Sequence, residues 1–256
     1  MTLAHALRSA TLVVCLSLLQ ASDALCQRGP YFARQINGFI SAPLDVILTD
    51  QWGTTTHTSN GLSHFISPVT QDGVPPSDQY HFTYYPFSAL GSEPPRTILV
   101  TNKFGEDEGW TLGGSITLLN PALKDAEAGE GVPPINHYKC YRVESAPTYD
   151  IPVTLQDQFQ NYGDATVVNP LFWCEPAEMQ VGGEIYPIQD QTAWLAVYAV
   201  ADVGIVSTVF GLPIADQFGA HVVDLTGARF LYVPSQKSSA VPTETRTWSA
   251  IKAEYR

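Results

Sequence analysis

The sequence predicts an all-β protein assembled from four related units of about fifty residues. Three observations predict it. A turn motif recurs as Asp50-Gln51-Trp52-Gly53, Asn102-Lys103-Phe104-Gly105, Asp157-Gln158-Phe159 and Asp216-Gln217-Phe218-Gly219, its ring positions separated by 52, 55 and 59 residues. A period of this size marks one supersecondary unit used repeatedly. Short β-branched and aromatic runs stand between turn residues, which is a strand signal. Nineteen glycines and nineteen prolines interrupt the chain too often for long helices, and no window shows sustained 3.6-residue periodicity with caps.

Taken in order, residues 1–24 read as a secretory signal. Arg8 supplies the cation of a short n-region, residues 10–19 the apolar h-region, and Ser22 and Ala24 the small residues before a cut after Ala24. The h-region falls short of the roughly 20 apolar residues a bilayer span needs. Asp23-Ala24-Leu25 before Cys26 lacks the small residue that precedes a lipidated cysteine.

The units then run over 29–80, 81–136, 137–193 and 194–237. Each opens on an aromatic strand: Tyr31-Phe32, His81-Phe82-Thr83-Tyr84-Tyr85, His137-Tyr138-Lys139-Cys140-Tyr141 and Trp194-Leu195-Ala196-Val197-Tyr198. An alternating strand follows and ends in the Asp-Gln-aromatic turn. The third piece is an apolar strand closed by proline, at Pro68, Pro121, Pro176 and Pro234. In this register Tyr84 and Val197 stand where Cys140 stands, and Ile66, Leu119 and Tyr232 stand where Cys174 stands, so the position faces a core. Residues 193–215 are mostly apolar, but Asp202, Gly204, Gly211 and Pro213 break them into two buried strands rather than a membrane span. The best helix candidates are short, at 121–127 and 247–255. Residues 125–134 read as a polar surface loop, and the tail 238–256 as flexible at its start.

Together these elements predict about twelve strands forming two pseudo-symmetric sandwich- or barrel-like halves, 29–136 and 137–237. A four-bladed propeller-like ring is the alternative, disfavoured because blades usually carry four strands.

Cleavage would leave about 230 residues and remove one Arg and one Asp, so the net charge stays at −12. With a pI near 4.7 and no basic run, the chain is a poor nucleic-acid binder. Export permits disulfides. Cys140 and Cys174 fall at matching ends of one unit and are paired; Cys26 is left over, either free or joined to another chain.

The recurring Asp50, Asp157 and Asp216 offer the hard oxygen that Ca²⁺ prefers. Asp and Asn also bond their own backbone two residues on, and a turn-forming role is expected. The acidic run Gly105-Glu106-Asp107-Glu108-Gly109 lacks the spacing of a calcium loop and reads as a solvated turn. His81 and His137 recur at one repeat position, with Trp194 at the same place in the fourth unit, and read as packing or hydrogen-bonding positions. No nucleophile elbow, zinc-protease helix or phosphate loop occurs, so no catalytic residue, metal ligand or cofactor is nominated. Trp52 and Trp194, at repeat positions, are expected in the core. Trp110, outside the pattern and beside the acidic run, is the candidate exposed ring, with Asp107 and Glu108 as candidate ligand-facing carboxylates.

The combination His137-Tyr138-Lys139-Cys140-Tyr141, Val153-Thr154-Leu155-Gln156-Asp157-Gln158-Phe159 and Cys174-Glu175-Pro176 resembles a family of secreted bacterial tandem-repeat β domains of unknown function. The third unit carries the resemblance, and the others keep it without the cysteines. It implies an exported all-β protein with a Cys140–Cys174 bridge, and no activity.

The expectation is therefore a secreted, non-catalytic binding or structural module of a bacterial envelope or extracellular matrix, with a carbohydrate or an envelope protein as partner. The competing class is a polysaccharide-binding protein or a glycoside hydrolase working through a carboxylate pair such as Asp107 and Glu108.

Overall fold

The computed structural model describes residues 29–40, 43–88, 93–125, 131 and 133–239. The expected signal, Cys26, the second helix candidate and the tail beyond Ser239 lie outside the described residues.

Fourteen strands form one antiparallel sheet: β1 (Tyr31–Ile40), β2 (Leu44–Asp50), β3 (Gly53–Ser59), β4 (Leu62–Gln71), β5 (His81–Pro86), β6 (Arg96–Asn102), β7 (Gly105–Lys124), β8 (His137–Ser145), β9 (Ile151–Asp157), β10 (Asn161–Val181), β11 (Glu184–Tyr186), β12 (Trp194–Ala201), β13 (Val209–Asp216) and β14 (Gly219–Ser239). The fold is all-β as the sequence predicts, and no helix occurs among the described residues. The stretch 193–215 is strand, loop and strand.

Two local expectations are corrected. Residues 121–124 are strand, not helix, because Ala122 pairs with His81 on one side and Asp216 on the other, so neighbouring strands take up its backbone groups. Ser238 and Ser239 continue β14 against Leu99 and Ile98 instead of opening a loose tail. The third strands are also longer than their punctuation suggests: β7, β10 and β14 run for 20, 21 and 21 residues. Gly113-Gly114 and Pro170 do not end them. The pairing slips there, between Leu112 and Thr117 and between Val167 and Phe172, and the strands continue past the irregularities.

The pairings close a ring. β1 pairs β4, β4 pairs β5, β5 pairs β7, β7 pairs β8, β8 pairs β10, β10 pairs β12, β12 pairs β14, and β14 returns to β1. Eight strands enclose a bore that side chains can fill. Here Tyr31, Ile66, Phe82, Leu119, Tyr138 and Tyr232, among others, fill it, each nearly inaccessible to water. Facing partners in the ring are Tyr84–Leu119, Cys140–Cys174 and Val197–Tyr232, the register read from the sequence, and Ala33–Ile66, which the structure adds. The Cys140–Cys174 disulfide thus lies inside the bore, and its 34-residue separation gives a chain-entropy stabilisation of about 3–4 kcal/mol.

Outside the ring lie four hairpins, β2–β3, β6–β7, β9–β10 and β13–β14. Each reaches across to a long strand two sequence units away, later in the chain for β2 and β6 and earlier for β9 and β13. β2 pairs β10, β6 pairs β14, β9 pairs β4, and β13 pairs β7. Two further apolar clusters fill the space between hairpins and ring. Several of these pairs join residues 29–136 to residues 137–237, so the two stretches share a single sheet.

Candidate functional site

The Asp-Gln-aromatic turn is where each hairpin is fastened to the ring. In all four, one side-chain oxygen of the first residue accepts the backbone N–H of the ring residue two positions on, at 2.8–2.9 Å: Asp50 from Trp52, Asn102 from Phe104, Asp157 from Phe159 and Asp216 from Phe218. This is the expected Asx turn. The rest of the side chain reaches an aromatic strand two sequence units away, later in the chain for Asp50 and Asn102 and earlier for Asp157 and Asp216. Asp50 Oδ2 accepts the hydroxyl of Tyr141, and Asp216 Oδ2 accepts those of Tyr85 at 2.7 Å and Thr83 at 2.6 Å. Asn102 reverses the polarity, its Nδ2 donating to the Tyr198 oxygen at 2.8 Å. Where Tyr141, Tyr85 and Tyr198 stand, the first unit has Arg34, fully buried with Nε 3.4 Å from Asp157 Oδ2. The turn's own ring packs edge-on against the tyrosine, Trp52 on Tyr141 at 4.7 Å, Phe104 on Tyr198 at 5.2 Å and Phe218 on Tyr85 at 4.9 Å. These aspartates are structural, and among the described residues no group of three or more His, Cys, Asp or Glu is placed to hold a metal ion.

The turn's second residue points into a cleft at each corner. A cleft of about 670 Å³ lies between Gln51, Glu178, Pro187, Gln191, Thr192 and Trp194, with Glu175 at its base. Glu175 is 1% exposed. It accepts four donors: Trp173 Nε1 at 2.5 Å, Lys237 Nζ at 2.7 Å, Gln51 Nε2 at 2.6 Å and Trp194 Nε1 at 2.9 Å. Burial raises its pKa, opposed by Lys237 and by the Trp173 bond; burial likewise lowers Lys237, opposed by Glu175. The Lys237 ammonium sits over both Trp52, at 4.8 Å, and Trp194, at 5.1 Å. The cleft therefore has a rigid, internally neutralised floor and a half-buried indole on its wall.

Two smaller clefts hold the recurring histidines. His81 meets Gln158 Nε2 at 2.9 Å in a cleft of about 220 Å³. His137, 3% exposed, lines a cleft of about 310 Å³ with Pro133, Ile135, Tyr186, Gln189 and Gln217. Burial lowers both imidazoles from 6.5 to about 4. The remaining corner, about 410 Å³, lies against Pro30, Val74, Lys103 and Pro234.

A second polar cluster surrounds Glu93. Its Oε1 accepts the Ser115 hydroxyl and lies 3.5 Å from Lys139 Nζ, while Oε2 lies 3.2 Å from Arg96 Nη1. Ser115 Oγ is 3.3 Å from His57 Nε2, which also meets Thr55 Oγ1 at 2.7 Å. In a nucleophilic triad the imidazole stands between serine and carboxylate. Here the serine stands between the carboxylate and the imidazole, so the three groups do not have the order of a triad.

The ring expected at the surface is not there. Trp110 is fully buried, because β7 continues through the acidic run and Trp110 faces inward, edge-on to Trp173 at 6.2 Å and Tyr198 at 5.9 Å. The acidic run is strand, not a turn. Glu108, on the same face, takes the Tyr149 hydroxyl, and burial raises its pKa. Of Asp107 only its place in β7 is described. Trp194, expected in the core, is the ring that lines a cleft. Its signal was in the alignment of the units: a tryptophan where two others carry histidine.

Residues 81–239 match a protein family described as a repeat of unknown function (DUF7450). That is more than half of the sequence, and the chain belongs to this family. No curated protein and no solved structure matches it.

Proposed function

We propose that this member of an uncharacterised repeat family is an exported, non-catalytic binding module, and that the Trp194 cleft takes a neutral, hydroxyl-rich ligand such as a glycan. One observation carries the reading: an indole lines a cleft of about 670 Å³ above a carboxylate whose four hydrogen-bond donors are already in place. An aromatic ring offers its face to the C–H surface of a sugar, and the Gln191 amide with the Gln51, Thr49 and Thr192 side-chain oxygens lines its polar edge. Glu178 and the net charge of −12 disfavour an anionic polymer. A glycoside hydrolase needs one carboxyl group to deliver a proton and a second to act as base or nucleophile. Glu175 and Asp50 are both engaged by internal donors, which argues against that chemistry.

The test is calorimetric titration with oligosaccharides of the cellulose, chitin, starch and laminarin series, followed by analysis of the sugars recovered. Binding of at least one series with no new reducing ends supports the reading. Trp194→Ala then weakens binding about tenfold, since an aromatic contact contributes about 0.5–1.5 kcal/mol beyond its area and 1.4 kcal/mol is tenfold. Shortened products would establish a hydrolase. Absence of binding across all four series would leave an envelope scaffold as the better account.

A further inference from the structure

We infer that the Trp194 cleft and the His137 cleft are two subsites of one groove that binds an oligosaccharide chain lying across the ridge of residues 186–192. The inference rests on the Trp194 reading and extends it.

The two clefts share a wall. Pro187 lines both, Ile188, Gln191 and Thr192 face the Trp194 side, and Tyr186 and Gln189 face the His137 side. The ridge is held firmly. Asn136, buried beside His137, donates through Nδ2 to the Asp190 carbonyl at 2.6 Å and accepts the backbone N–H groups of Gln189 and Asp190 at 2.8 and 2.9 Å. Asp190 Oδ1 in turn accepts the Thr192 N–H at 2.8 Å. A ligand spanning both clefts would find the surface between them already ordered, which avoids the entropic cost of ordering a loop on binding.

The second subsite has groups still to be satisfied. Gln217 stands close enough to His137 to oppose the fall in its pKa, yet among the described residues neither ring nitrogen nor Gln217 Oε1 reaches a hydrogen bond of normal geometry. Buried polar atoms are nearly always bonded, so unpartnered ones call for an explanation. The contrast with His81 is direct, since the same repeat position there meets Gln158 at 2.9 Å. A neutral imidazole presents one donor and one acceptor. A sugar hydroxyl, itself donor and acceptor, complements that pair and the Gln217 carbonyl. Proline and tyrosine walls suit the apolar faces of the rings, and among the described residues the cleft lining carries no charged side chain.

The experiment is calorimetry with the di- and hexasaccharide of whichever series binds, on the wild-type chain, His137→Leu and Gln217→Leu. The hexasaccharide should bind more tightly than the disaccharide. Each variant should lower hexasaccharide affinity about five- to tenfold, the range expected for one lost hydrogen bond, and leave disaccharide affinity unchanged. Unfolding of His137→Leu without ligand should be as resistant as wild type or more so, because an unsatisfied buried group has been removed. If the hexasaccharide gains nothing over the disaccharide, or both variants bind it like wild type, the extended groove is wrong while the Trp194 site stands. If no oligosaccharide of either length binds, both readings fall. Should His137→Leu not fold, Gln217→Leu, at a half-buried position, decides the matter alone.

Discussion

Replacing Asp216 tests whether the recurring turn aspartate fastens hairpin to ring or merely shapes a turn. Asp216 is 6% exposed and accepts three donors, from Phe218 N, Thr83 Oγ1 and Tyr85 Oη. Burial and the Asp216 charge push Tyr85 ionisation far above its ordinary value, so the phenol stays a donor. Asp216→Ala loses a turn bond of about 1 kcal/mol and a charge-assisted bond to Tyr85 of about 1.5–3 kcal/mol. Thr83 keeps its contact to the Asn120 carbonyl at 3.2 Å, so its share is smaller. The sum is about 4 kcal/mol. Tyr85→Phe should cost about 1.5–2 kcal/mol, and the double variant should fall short of additivity by more than about 1 kcal/mol. Asp216→Asn should cost only about 1 kcal/mol, because Asn102 already occupies this slot in another hairpin with its turn bond and tyrosine contact intact. Urea unfolding of the wild type and the four variants, read as midpoints and slopes, measures all of this. A cost near 1 kcal/mol for Asp216→Ala with additive energies would mean the residue forms a turn and nothing more.

Two further predictions concern the buried charges. Arg34→Met strands Asp157 beside Tyr162 in a site closed to water and should cost about 3–5 kcal/mol in urea unfolding; a loss below about 1 kcal/mol would show the pair to be dispensable. Burial lowers His57, His64, His81 and His137 from 6.5 to about 4, so between those values the unfolded chain binds more protons than the folded one. Their contribution is complete above pH 6.5 and is lost as the pH falls toward 4, so urea midpoints should fall across that window and His137→Leu should flatten the fall. A midpoint unchanged from neutral pH to about 4.5 would contradict it.

The fold was legible to the extent that its pieces repeat. Matching Cys140 to Tyr84 and Val197 identified positions that face the bore, because a position kept apolar or crosslinked in every unit can only be interior. What could not be read was how far each third strand runs. Gly113-Gly114 and Pro170 look like ends, and only neighbours on both sides carry the strand through them. Closure of the ring was hidden for the same reason, since the pairing of β1 with β14 joins residues two hundred positions apart. The acidic run at residues 105–109 reads in the sequence as a solvated turn, which would leave Trp110 at the surface, whereas those residues open β7. With the strand continuous, the two-residue alternation turns the indole inward. Trp194 and His137 were seen as equivalent positions, but their clefts arise from hairpins reaching across two units, a distance no local pattern encodes.

A crystal structure of the chain soaked with the hexasaccharide of the series that binds is the most direct test. The expected result is an intact sugar chain with one ring against Trp194, the ridge of residues 186–192 crossed, and a hydroxyl within hydrogen-bonding distance of His137 and Gln217. Density for cleaved products, or an intact chain bound away from both clefts, would contradict it.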